Sequence, residues 1–142
     1  MIAYMNPLYT TSAVATGDGR NGHVQTLDGV LVAPVRTPKE LGGEGGATNP
    51  EQLFAAGYAA CFHSALKLVA GKAKADTTDS EVVADVSLGV LETGGFGLTA
   101  HLEVSLPALD QETAEQVVAQ AHEVCPYSNA TRGNMQVTLS VA

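Results

Sequence analysis

Two cysteines stand out among the side chains able to do chemistry. Cys61 lies within the apolar run Phe54-Ala55-Ala56-Gly57-Tyr58-Ala59-Ala60-Cys61-Phe62, and Cys125 directly precedes Pro126. A thiol reacts as its thiolate, and an apolar helix disfavours that charge. A reactive Cys61 therefore needs a positive charge from elsewhere, and a second thiol to close on it. Arg20 lies beside the Gly17-Asp18-Gly19 turn, and Glu51 lies in a helix-starting segment. Taken singly, each residue has a plainer reading. Both cysteines suit a core, Glu51 suits the first turn of a helix dipole, and Arg20 suits a solvated turn. A metal site is the rival chemistry, because His63 and His122 accompany the cysteines. Residues two apart on a helix point about 200° apart, so Cys61 and His63 cannot face one ion, whereas His122 and Cys125 can. Too few ligands remain, and no metal is expected. His23 and His101 fall at polar strand positions and are expected to face solvent.

The elements that position these residues are readable from periodicity and turn chemistry. Short strands are expected from Tyr9 to Ala15, from His23 to Leu27 and at Val30-Leu31-Val32, with turns at Gly17-Asp18-Gly19 and Asp28-Gly29. The glycine-rich segment from Thr37 to Ala47 lacks both the dinucleotide GxGxxG spacing and a P-loop lysine, and reads as a mobile loop. Asn49-Pro50-Glu51 is a strong helix start, with a cap residue, a proline at the first helical position and an early carboxylate. The helix is expected to reach about Gly71, with Phe54, Tyr58, Cys61, Ala65 and Leu68 on one stripe, and to be central and buried on several sides. After a linker to Ser80, Val82, Val86, Leu88 and Val90, then Leu98, Ala100, Leu102, Val104 and Leu106, alternate as an antiparallel pair turning at Gly94-Gly95. A second helix capped by Asp110 carries Ala114, Val117, Val118, Ala121 and Cys125 on one face and stops at Pro126. Met135, Val137, Leu139 and Val141 form a last strand. This order gives an α+β fold.

At 142 residues the chain fits one domain, residues 1–142. A net charge of -8 with seven Lys and Arg argues against nucleic acid or an anionic membrane as partner. The N-terminus reads without the features of a signal peptide, and no later run is expected to be long and apolar enough to span a bilayer, so a cytoplasmic location is expected.

The strings from Asn49 to Phe62 and Cys125-Pro126-Tyr127-Ser128-Asn129-Ala130-Thr131-Arg132-Gly133-Asn134 closely resemble the organic hydroperoxide resistance (Ohr) branch of the OsmC/Ohr family. So do Thr37-Pro38 with Glu40-Leu41-Gly42-Gly43, the terminal strand and an Arg near the first turn. The resemblance implies an OsmC/Ohr-like fold of antiparallel sheets with a long central buried helix, in an intertwined homodimer. It implies a thiol-dependent peroxidase for organic hydroperoxides, with no bound cofactor and a lipoyl dithiol as external reductant. By motif, Cys61 is the peroxidatic cysteine, Cys125 the resolving cysteine, and Arg20 and Glu51 the residues that activate them; Arg36 competes with Arg20. Glu51 lies ten residues before Cys61, about 15 Å along the helix axis and on another face. A site shared across a two-fold interface is therefore expected, with Glu51 supplied by the other subunit. Phe54, Tyr58 and Phe62, under the glycine-rich loop, are the expected substrate-binding residues. Rival readings are an OsmC-type peroxidase with broader peroxide use, a non-catalytic redox-sensing or binding domain, and a purely structural domain.

Overall fold

The computed structural model describes residues 4–142, whose contacts divide into one unit ending at Pro50 and a second from Glu51 to Ala142. In the first, β1 (Ala13–Asp18), β2 (Asn21–Thr26) and β3 (Val32–Pro34) form an antiparallel sheet in that order. β1 starts later than the expected Tyr9, whose side chain is exposed. Gly17 and Gly19 both take positive φ, which lets the chain reverse through Gly19 and Arg20 so that Asp18 pairs with Asn21. Arg20 thus lies in the turn itself.

The glycine-rich segment is tied down by its own backbone. A 3₁₀ turn at Lys39–Leu41 ends on Gly42, while the N–H groups of Gly43 and Gly45 donate to the carbonyls of Pro38 and Thr37, each at 3.0 Å. A Cβ on Gly43 would fall 2.1 Å from the Thr37 carbonyl oxygen, so only glycine fits that return. The expected mobile loop is a hydrogen-bonded one.

The second unit is built on α1 (Pro50–Ala73), β4 (Glu81–Val90), β5 (Phe96–Ser105), α2 (Gln111–Val124), α3 (Pro126–Thr131) and β6 (Val137–Val141). α1 ends in a Schellman turn: Lys74 takes φ 55°, its N–H donates to Gly71, and that of Ala75 donates to Ala70. β4 and β5 pair antiparallel over their full lengths, whereas β6 joins β5 in parallel. Two helices intervene between β5 and β6, and such a crossover is what a parallel neighbour requires. Ala100, Leu102 and Val104 of β5 meet Ala114, Val117, Val118 and Ala121 of α2 and the buried face of α1 in one core.

That buried face differs from the expected stripe. Tyr58, Phe62, Ala65, Leu66, Val69 and Ala70 are buried, Cys61 is half-buried and Leu68 is 55% exposed. Alanine and glycine surround the middle of α1, so no polar edge marks which apolar side turns inward. Ala56, Ala60, Ser64 and Lys67 are exposed, so within this chain α1 is covered on one side. α1 also corrects the expectation about bilayers: with 24 residues and a mean hydropathy of 1.4 over its most apolar window, it is long and apolar enough to cross one. Core helices meet the same criterion, and the Tyr58 to Ala70 face of α1 is in the core.

Candidate active site

Pro126 has no N–H to continue α2, but its fixed φ suits the first position of a new helix, so α2 ends and α3 begins around Cys125. Cys125 caps both helices in an extended conformation and is fully buried. Its Sγ lies 3.5 Å from Cys61 Sγ, although the two are 64 positions apart in sequence. Both are free thiols. Cys61 opens onto an apolar pocket of about 340 Å³ lined by Ser64, Ala65, Leu68, Val124 and Pro126. The pair thus joins one reachable sulfur to one sealed sulfur.

Tyr127 packs over Gly57 of α1, one turn before Cys61. An alanine Cβ at Gly57 would lie 2.7 Å from the Tyr127 hydroxyl, so the bare helix surface there is what admits the ring. The ring also packs against Phe54 and Tyr58, with centroids 5.9 and 5.6 Å away. Burial pushes the Cys61 thiol above its ordinary pKa of 9.0; the Tyr127 backbone N–H pulls it down and the Cys125 thiol adds to the rise.

Tyr58 and Phe62 expose no surface at all. They are core residues in this chain, and the open lining beside Cys61 comes instead from Ser64, Leu68, Val124 and Pro126. Phe54 is half-buried, edge-on to Tyr58 at 6.0 Å. Arg20, in the β1–β2 turn, and Glu51, in the first turn of α1, are half-buried and each engages in interactions. Arg36, the competing candidate, donates through one guanidinium nitrogen to the carbonyls of Val35 at 2.7 Å and Gly22 at 3.1 Å. That nitrogen is occupied in holding the first sheet's edge.

A buried polar cluster flanks Cys125 that reading the residue types missed. Ser128 Oγ lies 2.8 Å from both Tyr58 Oη and His122 Nδ1, and Thr131 Oγ1 lies 3.3 Å from Tyr58 Oη. Its signal was present: His122 and Ser128 stand three residues either side of Cys125, and so one turn away. Burial, then the Arg132 guanidinium, holds His122 below its ordinary pKa of 6.5. Arg132 also donates to the His122 carbonyl and to Asn129 Oδ1. His63 pairs with Ser80 at 2.9 Å, and His101 with Thr138 and Ser140. Among the described residues, no three His, Cys, Asp or Glu side chains converge to hold an ion.

Residues 43–140 match the model of the OsmC-like protein family. The chain belongs to the OsmC/Ohr family. Within it, similarity runs to the Ohr branch. The organic hydroperoxide resistance protein of Xanthomonas axonopodis pv. citri is 52% identical, covering 95% of each chain. The Bacillus subtilis protein OhrB is 48% identical over 94% of this chain and 98% of its own. Among solved structures, the organic hydroperoxide resistance protein of Elizabethkingia anophelis superposes with a TM-score of 0.93 at 53% identity, covering 97% of this chain and 99% of that one. The α+β architecture, with two small sheets and one long helix, is therefore that of the family.

Proposed function

We propose that this protein detoxifies organic hydroperoxides, reducing alkyl or lipid peroxides to alcohols with Cys61 and Cys125. The observation that carries the reading is the 3.5 Å apposition of the half-buried Cys61 and the sealed Cys125 beside an apolar pocket. Relatives named for organic hydroperoxide resistance, at about half identity over nearly the whole chain, support the same substrate class.

In this mechanism the Cys61 thiolate attacks the terminal peroxide oxygen. The O–O bond breaks, the alkoxide leaves as alcohol after taking a proton, and Cys61 becomes a sulfenic acid. Burial raises the Cys61 pKa, so the thiolate needs a cation. We assign that charge to Arg20, which also stabilises the departing alkoxide, and assign Glu51 the task of fixing the guanidinium plane. Cys125 then condenses with the sulfenic acid to a disulfide, which an external lipoyl dithiol reduces. The pocket walls of Leu68, Val124 and Pro126 favour alkyl chains over hydrogen peroxide. The working form in this proposal is a cytoplasmic homodimer, with Glu51 contributed across the two-fold axis.

Steady-state consumption of tert-butyl hydroperoxide and of hydrogen peroxide, with dihydrolipoamide or glutathione, tests the reading. Sustained turnover of the organic peroxide with dihydrolipoamide, abolished in Cys61→Ser, is expected. A single stoichiometric reaction without turnover would instead indicate a redox sensor.

A further inference from the structure

The polar cluster around Cys125 has a countable set of hydrogens. Thr131 donates its one hydroxyl hydrogen to the Ser128 carbonyl oxygen, 3.2 Å away, because that carbonyl can only accept. Thr131 Oγ1 must then accept from Tyr58, whose single hydrogen is thereby used. Ser128 must in turn donate to Tyr58 Oη. For the remaining contact, between His122 and Ser128, the only hydrogen left is one on Nδ1. This is the one arrangement that places a hydrogen in all four contacts.

The spacing gives the cluster its mechanical meaning. Tyr58 lies one turn before Cys61 on α1, His122 one turn before Cys125 on α2, and Ser128 one turn after it on α3. Ser128 is fully buried at the centre. We propose that Tyr58, Ser128 and His122 form a hydrogen-bonded staple, with the His122 proton on Nδ1, that positions Cys125 for closure on Cys61.

The inference rests on the dithiol reading above. In the step concerned, Cys125 sulfur bonds to the sulfenic sulfur of Cys61 and the S–O bond breaks. Cys125 is oxidised as Cys61 is reduced, and the thiol proton leaves with the departing hydroxide as water. The sulfurs must approach from 3.5 Å to about 2.05 Å, so a junction free to rotate loses encounters. His122, Ser128 and Tyr58 are positioning residues.

The test follows peroxide loss and disulfide formation separately after the reduced full-length protein meets one equivalent of tert-butyl hydroperoxide. In Ser128→Ala and His122→Leu, disulfide formation is expected to slow about tenfold relative to peroxide loss, the usual scale for losing a buried hydrogen bond. Sulfinic acid should accumulate on Cys61 under excess peroxide. His122→Asn, whose amide nitrogen stands where Nδ1 does, is expected to restore the wild-type ratio. An unchanged ratio in His122→Leu, an Asn variant as slow as the Leu variant, or equal slowing of both steps would overturn the proposal. If the wild type consumes no peroxide, the peroxidase reading fails. Diamide, an azo oxidant that pairs thiols without a sulfenic acid, then makes the same comparison of closure rates. If the variants do not fold, ¹⁵N NMR of wild-type His122 decides: the Nδ1–H tautomer is expected, and the Nε2–H tautomer contradicts the staple.

Discussion

Oxidising the cysteine pair should stabilise the protein by an amount set by where the pair lies. The sulfurs are already 3.5 Å apart, so closing to about 2.05 Å asks for a movement of roughly 1.5 Å between two helices. The bond would then span a loop of 64 residues, which in the unfolded chain costs about 14 cal/mol/K of entropy. At 25 °C that corresponds to about 4 kcal/mol in favour of the oxidised fold. The assay is equilibrium unfolding in guanidinium chloride of the dithiol-reduced and diamide-oxidised protein, with Cys125→Ser as a control that cannot gain. The oxidised wild type is expected to unfold at the higher midpoint, with the control unmoved. A gain below about 1 kcal/mol would mean that closure strains the α2–α3 junction enough to cancel the cross-link, and would refute a pair held ready for closure.

With the role proposed for Arg20, Arg20→Met should move the pH midpoint of Cys61 alkylation by iodoacetamide upward from its wild-type value, because the burial that already raises this thiol would then act without the cation assigned to it. A midpoint shared with the wild type would remove Arg20 from the site. His122, held below 6.5 in the fold, binds fewer protons folded than unfolded, so its contribution to stability is full above 6.5 and falls as pH drops from there towards the folded-state pKa. Urea midpoints should decline over that window in the wild type and flatten in His122→Asn; parallel curves would contradict it. Gly57→Ala should destabilise the protein by about 1 kcal/mol, because displacing the Tyr127 ring from two aromatic contacts outweighs a helix-propensity gain of about 1 kcal/mol. In a Tyr127→Ala background the same substitution should stabilise, and an unchanged sign would place the ring elsewhere.

How far each element was legible follows from how sharply its sequence marks an inside. α2 carries polar residues opposite Ala114, Val117, Val118 and Ala121, and those four are its buried residues. β4 and β5 alternate over most of their length, although Val90, expected on the inner face, is 76% exposed at the end of β4. α1 has alanine and glycine on most sides, so its inward face was misplaced, taking Leu68 inside and leaving Leu66 and Val69 unnamed. α3 escaped notice because Pro126 reads equally as the end of one helix and the first residue of the next. At the site, residue type marked both cysteines, but nothing local could bring together sulfurs 64 positions apart. Phe62 looked like a channel wall because an aromatic beside a cysteine serves core and pocket equally well. The staple depends on Tyr58 meeting Ser128 across 70 residues, which only the folded core supplies.

The dithiol chemistry is tested most directly by thiol counting. Reduced protein is treated with one equivalent of tert-butyl hydroperoxide per chain, followed by alkylation of the remaining thiols and peptide mapping. The account predicts loss of both thiols, recovery of a Cys61–Cys125 disulfide within one chain, no loss in Cys61→Ser, and a sulfenic acid trapped on Cys61 in Cys125→Ser. Undiminished thiols in the wild type, or oxidation of Cys125 in the absence of Cys61, would contradict it.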